Sequence, residues 1–233
     1  MGWEVAGFLL INKAPGMRSH QVVEELRKIT KIRKIGHGGT LDPLAQGLLI
    51  LGIGKRATKK LARFLKMEKE YLATIKLGET SFTFDAEGEI KKRKVKKIPS
   101  EKEIKNALGE FQGKIWQTPP IFSAKKIKGK KLYQLARQRK KVKIKPVLVE
   151  IYQITLLSYC WPYLKIKVCC SRGTYLRSLA HDLGEKLGVG GYLKSLCRQK
   201  IGDFDLSQAH NLKEINSKNW QKFLLKINNE VSN

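Results

Sequence analysis

Gly36-His37-Gly38-Gly39-Thr40-Leu41-Asp42-Pro43-Leu44-Ala45-Gln46-Gly47-Leu48-Leu49 is the stretch on which the reading of this chain turns. Its glycines let the backbone take positive φ angles and approach a ligand closely. Its one acid, Asp42, precedes Pro43, which biases it toward the extended region and limits where the carboxylate can point. The run Leu48-Leu49-Ile50-Leu51 predicts a buried strand. Asp-Pro is also a good helix start, with aspartate as N-cap and proline at the first helical position. Gly47 leaves room for hardly more than one turn, and such a cap has no need of Gly36, Gly38 and Gly39 upstream. The two readings are compatible, and a lone carboxylate on a stiff turn at the mouth of a sheet suits a reactive group.

The balance of charge points the same way. The 233 residues carry 47 Lys+Arg against 20 Asp+Glu, a net charge of +27, with 42% hydrophobic residues to build a core. A field of that sign attracts polyanions, nucleic acid first among them. No basic amphipathic helix stands out to favour a membrane face. The four cysteines, Cys160, Cys169, Cys170 and Cys197, form no Cys-x-x-Cys and are read as reduced and structural. His20, His37, His181 and His210 have no ligand-like spacing, so no metal is expected. The apolar patch Gly7 to Ile11 is too short to span a membrane and has no cleavage signal, and the expected compartment is the cytoplasm.

Working outward, Gly7 to Ile11 reads as a first strand, with a Pro15-Gly16 turn after it. Ser19 is placed to cap a helix from His20 to about Thr30, with Val22, Val23 and Leu26 on one face. A helix is expected from about Ala57 to Leu65, then a strand over Lys69 to Gly78, alternating from Tyr71 with Ala73, Ile75 and Leu77 on its face. Lys91 to Lys97 reads as an exposed basic loop. Ser100-Glu101-Lys102-Glu103 is a capping box with a helix to about Leu108. From Lys125 to Lys145 there are many bases and no acid; with Tyr133 interleaved and a short helix over Tyr133 to Arg137, the run is read as following phosphates. Val147 to Leu157 and Tyr163 to Cys170 are two long strands around a Cys160-Trp161-Pro162 turn, and the stretch Cys170 to Ala180 closes the second strand and opens a helix running to about Leu187. Ile201-Gly202-Asp203-Phe204 reads as a last strand and Ser207-Gln208-Ala209 as a helix start. The tail from Asn211, with Trp220, Phe223, Leu224 and Ile227, is expected to make little more than a helix.

The pattern Gly-His-x-Gly-Thr-Leu-Asp-Pro-x-Ala-x-Gly-Leu-Leu resembles the catalytic motif of the TruB family of tRNA pseudouridine synthases, which convert the T-loop uridine at position 55 of tRNA into pseudouridine. Further segments are similar to the same family from about residue 7 to 215. Lys13 and its turn resemble the first motif, Tyr71 the tyrosine of the second, and Tyr175 and Arg177 the third. Ser81 to Glu89 is similar to a Thr-Asp-Thr-x-Asp-x-x-Gly segment, with Phe82 in place of an acid and Asp85 and Gly88 kept. Gln117 to Lys125 resembles Gln-x-Pro-Pro-x-Tyr-Ser-Ala-x-Lys, with Phe122 in place of tyrosine.

The resemblance implies an α+β pseudouridine synthase fold: a mixed, mostly antiparallel sheet flanked by helices and loops, with a central active-site cleft. It implies a catalytic domain over residues 1–210 and a short tail over 211–233, in place of the small C-terminal RNA-binding domain of the PUA kind that bacterial members usually carry. Asp42 is the implied catalytic residue, as nucleophile or as the base that removes a sugar proton. Arg177 is its implied partner, Tyr71 a stacking platform for the flipped base, and Tyr175 and Leu196 walls of the pocket. His37 corresponds to a histidine contacting the rearranged loop, and Lys13 completes the substrate-binding set. The isomerisation needs no redox change and no external group, so no cofactor is implied. The T-arm of tRNA is the expected partner and a monomer the expected state. A non-catalytic basic RNA-binding or remodelling protein, or a synthase acting on another RNA, are the competing readings.

Overall fold

The computed structural model describes residues 5–123, 126–127, 130–132 and 144–227. The short helix expected over Tyr133 to Arg137, and most of the basic run from Lys125 to Lys145, lie outside the described residues. In chain order the elements begin β1 (Gly7–Lys13), α1 (Ser19–Thr30), β2 (Ile35–His37), β3 (Gln46–Ile53), α2 (Gly54–Lys59), α3 (Ala62–Lys66) and β4 (Lys69–Leu77). Next come β5 (Glu79–Ser81), β6 (Ile90–Lys92), α4 (Glu101–Gly109), β7 (Gly113–Gln117), β8 (Lys126–Ile127) and β9 (Lys130–Lys131). The chain closes with β10 (Val147–Cys160), β11 (Tyr163–Cys170), α5 (Leu176–Lys186), β12 (Gly191–Ile201), β13 (Phe204–Asp205) and β14 (His210–Asn211). Three short 3-10 turns lie near the end of the chain, at Leu206–Gln208, Leu212–Glu214 and Trp220–Phe223. These elements form two compact units, one of residues 1–70 and 197–233 and the other of residues 71–196.

In the first unit β3 is central. It pairs antiparallel with β1 from Gly7↔Ile53 to Lys13↔Gly47, antiparallel with β2 from Ile35↔Ile53 to His37↔Leu51, and parallel with the end of β12 at Cys197↔Gln46. Alternate side chains of a strand point to opposite faces. Here both faces are covered, which is why Phe8 to Ile11 and Leu48 to Leu51 are continuous apolar runs rather than alternating ones. Leu9, Ile11, Leu49, Leu51 and Ile53 pack with Val22, Val23 and Leu26 of α1 and with Ile215 and Trp220 of the tail. Phe8, Leu10, Leu48 and Ile50 pack with Ala57, Leu61 and Phe64 on the other side. Each such buried side chain contributes about 1.5–3 kcal/mol relative to exposure.

The second unit has strand order β12-β4-β11-β10-β7, with β10 antiparallel to both β11 and β7. Ala73, Ile75 and Leu77 of β4, with Leu164, Ile166 and Val168 of β11, are buried, as are Ile104 and Leu108 of α4 and Leu179 and Leu183 of α5. A Cβ on Gly184 would lie 2.1 Å from the backbone nitrogen of Gly191, so α5 approaches β12 only because both positions are glycine. The capping box holds: Ser100 Oγ accepts from the Glu103 N–H, and the Glu103 carboxylate accepts from the Ser100 N–H at 2.7 Å.

Several local expectations give way. Ser19 does not cap α1. Arg18 occupies the cap position, its N–H donating to Gln21 Oε1 at 2.7 Å, and the Ser19 hydroxyl is engaged elsewhere. The helix expected over Ala57 to Leu65 is two short ones, α2 and α3, broken at Lys60-Leu61. Ile201 to Phe204 is not a strand but a hairpin corner: Gly202 takes φ +52, and β13 folds back so that Ile201 faces Phe204. Ser207-Gln208 starts only a 3-10 turn, capped by Asp205, and the described part of the tail forms short 3-10 turns and a backbone bridge from Leu225 to Phe8.

Candidate active site

Asp42 lies on a turn, its carbonyl accepting from the Ala45 N–H at 3.0 Å, so the Asp-Pro pair opens a turn and not a helix. Asp42 is half-buried, and the backbone on both sides of it is fastened. Upstream, the Ser19 hydroxyl donates to the Leu41 carbonyl at 3.0 Å and accepts from the Leu41 N–H at 2.9 Å. Downstream, the Pro43 carbonyl accepts from the Gly16 N–H at 2.8 Å and lies 3.5 Å from Lys13 Nζ.

Two buried cations brace this loop. Lys13 is 1% exposed, and its ammonium donates to the carbonyls of Ala14 at 3.0 Å and Met17 at 2.6 Å as well as reaching Pro43. The structure therefore places Lys13 inside the first unit, behind the turn. Arg198, 2% exposed, donates through Nε to the Leu48 carbonyl at 2.7 Å and through Nη2 to the Gly39 carbonyl at 3.1 Å. A buried charge is tolerable only when its donors are matched, and here backbone carbonyls match them. Gly47 makes this possible: it holds φ +104, and a Cβ there would lie 2.4 Å from the Arg198 carbonyl oxygen. Lys69 repeats the device, its ammonium donating to the carbonyls of Phe64, Leu65 and Met67 behind α3.

His37 lies on β2 at the head of the same loop. Burial, then Arg198 and His20, lower its pKa, so the ring is held neutral. Its Nδ1 is buried with no hydrogen-bond partner among the described residues.

In the second unit Tyr71 is half-buried near the start of β4, on the same face as Ala73 and Ile75. Tyr175 and Arg177 stand where α5 begins. The side-chain amide of Gln117 accepts from the Tyr175 N–H at 2.7 Å and donates to the Tyr175 carbonyl at 3.1 Å, which fixes the entry to the helix. Arg177 is 5% exposed. Its guanidinium lies 3.3 Å from Asp85 Oδ2 and donates to the carbonyls of Phe122 at 3.0 Å and Thr83 at 3.4 Å. Asp85, 2% exposed, also accepts from the Thr83 hydroxyl at 2.5 Å and the Glu87 N–H at 3.0 Å. Leu196 is buried on β12.

The structure thus gathers Lys13, His37 and Asp42 around one loop and sets Tyr175 beside Arg177 on α5. Sequence reasoning missed Arg198, Ser19 and Gln117 as supports, and it missed Asp85 as the partner of Arg177. Arg198 lies on an alternating strand, where a lone arginine reads as solvated. Asp85 carried a signal, as the acid kept in a segment whose other acid is replaced. Among the described residues no group of three or more His, Cys, Asp or Glu is arranged to hold a metal ion.

Residues 27–176 match the family model described as TruB family pseudouridylate synthase, N-terminal domain, and residues 177–226 match that of the tRNA pseudouridylate synthase B C-terminal domain. This chain belongs to the TruB family. Among TruB relatives, a tRNA pseudouridine synthase B of Protochlamydia amoebophila is 46% identical over 211 residues, covering 91% of this chain and 80% of that one. Its counterpart in Aquifex aeolicus is 45% identical over 225 residues, covering 95% and 77%. Among solved structures, a Cbf5–Nop10–Gar1 complex matches with TM-score 0.72 at 28% identity over 94% of this chain. An H/ACA ribonucleoprotein bound to a substrate RNA containing 2′-deoxyuridine matches with TM-score 0.66, also at 28% identity, over 89% of it. This chain spans 59% and 51% of those two chains. The matches bear out the expected pseudouridine synthase fold, and the sheet pairings are mixed and mostly antiparallel.

Proposed function

We propose that this chain isomerises the T-loop uridine at position 55 of tRNA to pseudouridine, with Asp42 as its catalytic carboxylate. The observation that carries this reading is the turn itself: an aspartate on a loop fixed by Ser19, Lys13 and Arg198, in a chain of the TruB family. Catalysis requires a group held near its reaction geometry, and backbone fastening on both sides of Asp42 contributes to that.

The reaction breaks the N1–C1′ bond of uridine and forms a C5–C1′ bond. The C5 proton leaves and N1 ends protonated, so atoms balance with no cofactor. Asp42 enters in one of two ways. It attacks C1′ and displaces the uracil, or it removes the 2′ proton to give a glycal. Deuterium at C2′ slows the second route and not the first. Extruding the base costs a few kcal/mol, and stacking on Tyr71 returns about 1–3 kcal/mol per base. Tyr175 and Leu196 enclose the base, and Arg177 is assigned to holding the Asp42 carboxylate ionised. His37 is assigned to contacting the RNA at the head of the Asp42 loop. Lys13 acts in this scheme by positioning the turn. The monomeric state and the cytoplasmic compartment belong to the same proposal; light scattering tests the first.

The test is tritium release from a tRNA transcript labelled at uridine C5. Wild type releases the label, and Asp42→Asn loses at least about 10³-fold in rate, as removal of a catalytic group does, while still binding the tRNA. Equal rates for the two proteins would overturn the assignment of Asp42. No release by either, with tight binding by both, would favour the binding-protein reading.

A further inference from the structure

The second unit contains a cavity of about 560 Å³ that none of the groups assigned above uses. Its back wall is a parallel stack of Phe84 on His181, with ring centroids 3.9 Å apart and planes within 7°. Phe84 holds φ +64, a left-handed conformation unfavourable for a bulky side chain. It is kept there by its N–H donating to the Ser81 carbonyl at 3.1 Å and its carbonyl accepting from the Leu193 N–H at 3.0 Å. Such strain persists only where the surroundings over-determine it, and it gathers at functional places. Phe82 stands at the mouth, 65% exposed, its ring edge-on to Phe122 at 5.7 Å. Pro119, Ile121 and Ile144 add to the apolar lining. One buried polar atom, His181 Nδ1, has no hydrogen-bond partner among the described residues.

Lys91 and Arg93 line the rim, and the segment that carries them is basic. Glu185 binds Arg93 at 2.7 Å and Glu89 lies 3.4 Å from Lys91, so those acids are neutralised. Lys92, Lys94 and Lys96 are exposed on the same segment and have no acidic partner among the described residues. The chemistry is that of a single-stranded nucleotide site, an aromatic surface for a base beside lysines for the backbone.

We propose that this cavity receives a nucleobase of the bound RNA other than the reacting uridine. The base stacks on Phe82 against the Phe84–His181 wall, and the adjoining phosphates run along Lys92, Lys94 and Lys96. The volume holds a base with its ribose. Because every base has a stacking face, the site adds affinity and register more than sequence choice. This inference rests on the reading of the chain as an enzyme acting on RNA.

The test uses T-arm stem-loop RNAs, each with one 2-aminopurine at a position flanking the target uridine, mixed with the full chain. Stacking quenches the fluorophore, and the expected result is a strong quench at one position. Phe82→Ala relieves that quench and weakens binding of the unlabelled RNA about 5- to 150-fold, the range set by loss of one stacked base. Phe82→Trp keeps both, which separates lost stacking from a folding defect. Replacing Lys92, Lys94 and Lys96 together by alanine lowers the slope of log affinity against log salt by about 2. Absence of a quench at every position, or wild-type affinity in Phe82→Ala, overturns the proposal even where Asp42-dependent tritium release is intact. A position-specific quench without tritium release supports the pocket and removes the proposed reaction instead.

Discussion

Asp42 in the first unit and Asp85 in the second are both aspartates on short turns, and the protein fixes them by different means. Asp85 is held through its carboxylate: Thr83, the Glu87 N–H and Arg177 converge on it, and it is 2% exposed. Gly88 lets the turn close, since a Cβ there would lie 2.4 Å from the Thr83 hydroxyl. Asp42 is held through the backbone around it, by the Ser19 hydroxyl at Leu41 and by Lys13 and the Gly16 N–H at Pro43. It stays half-buried. The Asp85 carboxylate is buried in an ion pair, whereas the turn that carries the half-buried Asp42 is fastened through its backbone on both sides. The ion pair of Asp85 and the backbone fastenings of the Asp42 turn can be tested one bond set at a time.

The largest stability effect belongs to the enclosed pair. Arg177→Met leaves Asp85 buried without its cation, and breaking a buried pair from one side costs about 3–5 kcal/mol. Chemical denaturation reads this directly. Asp85→Asn added to Arg177→Met removes the stranded charge and restores a good part of the loss. If Arg177→Met unfolds at the wild-type midpoint, the Asp85 contact contributes nothing to stability and the contrast between the two aspartates fails.

Lys13→Met comes next, with the opposite balance between activity and stability. Three carbonyls lose a charged donor, at about 1.5–3 kcal/mol for hydrogen bonds to a charged group. The methionine stem keeps most of the packing. The turn that carries Asp42 then loosens, so the rate at saturating RNA falls more than the affinity does. A variant with weaker RNA binding and an unchanged rate would mean that Lys13 touches RNA and does not position the turn.

These supports also mark how far the sequence could be read. Phe8 to Ile11 and Leu48 to Leu51 announced strands buried on both faces, and the Ser100 box announced α4, because those signals are local. The Asp42 turn was legible as a stiff, glycine-rich place. Its fastenings were not: Arg198 reaches Leu48 across 150 positions and Ser19 reaches Leu41 across 22, so no local pattern reveals either. The net charge is likewise silent about placement. Lys13, Lys69 and Arg198 count toward a basic surface by composition, yet all three are buried on backbone carbonyls. Gly202-Asp203 was read through as strand because the apolar residues on either side, Ile201 and Phe204, are the two arms of a hairpin.

A smaller effect checks that stability and activity separate. Ser100→Ala removes the α4 cap far from either aspartate in sequence and costs about 1 kcal/mol. Tritium release at 25 °C is expected to be unchanged, since α4 carries none of the assigned groups. A fall in rate comparable to that of Lys13→Met would show that any loss of stability slows the reaction, and would remove the force of the Lys13 result.

The smallest expected effect sharpens the comparison at the Asp42 loop itself. Burial, with Arg198 and His20 behind it, lowers the His37 pKa in the folded protein. The unfolded chain therefore binds more protons than the folded one once pH falls below about 6.5, the ordinary imidazole value. The stability that a neutral His37 contributes is whole above that pH and is lost as pH falls toward the lowered folded value. At pH 6 only part of this linkage is expressed, so the shift there is smaller than the loss of the Ser100 cap. His37→Gln keeps a polar group and cannot titrate, so its denaturation midpoint should fall less between pH 7.5 and 5.5 than that of wild type. Parallel acid limbs for the two proteins would mean that His37 protonates freely in the fold, and that the loop is more open to water at its histidine than at its aspartate.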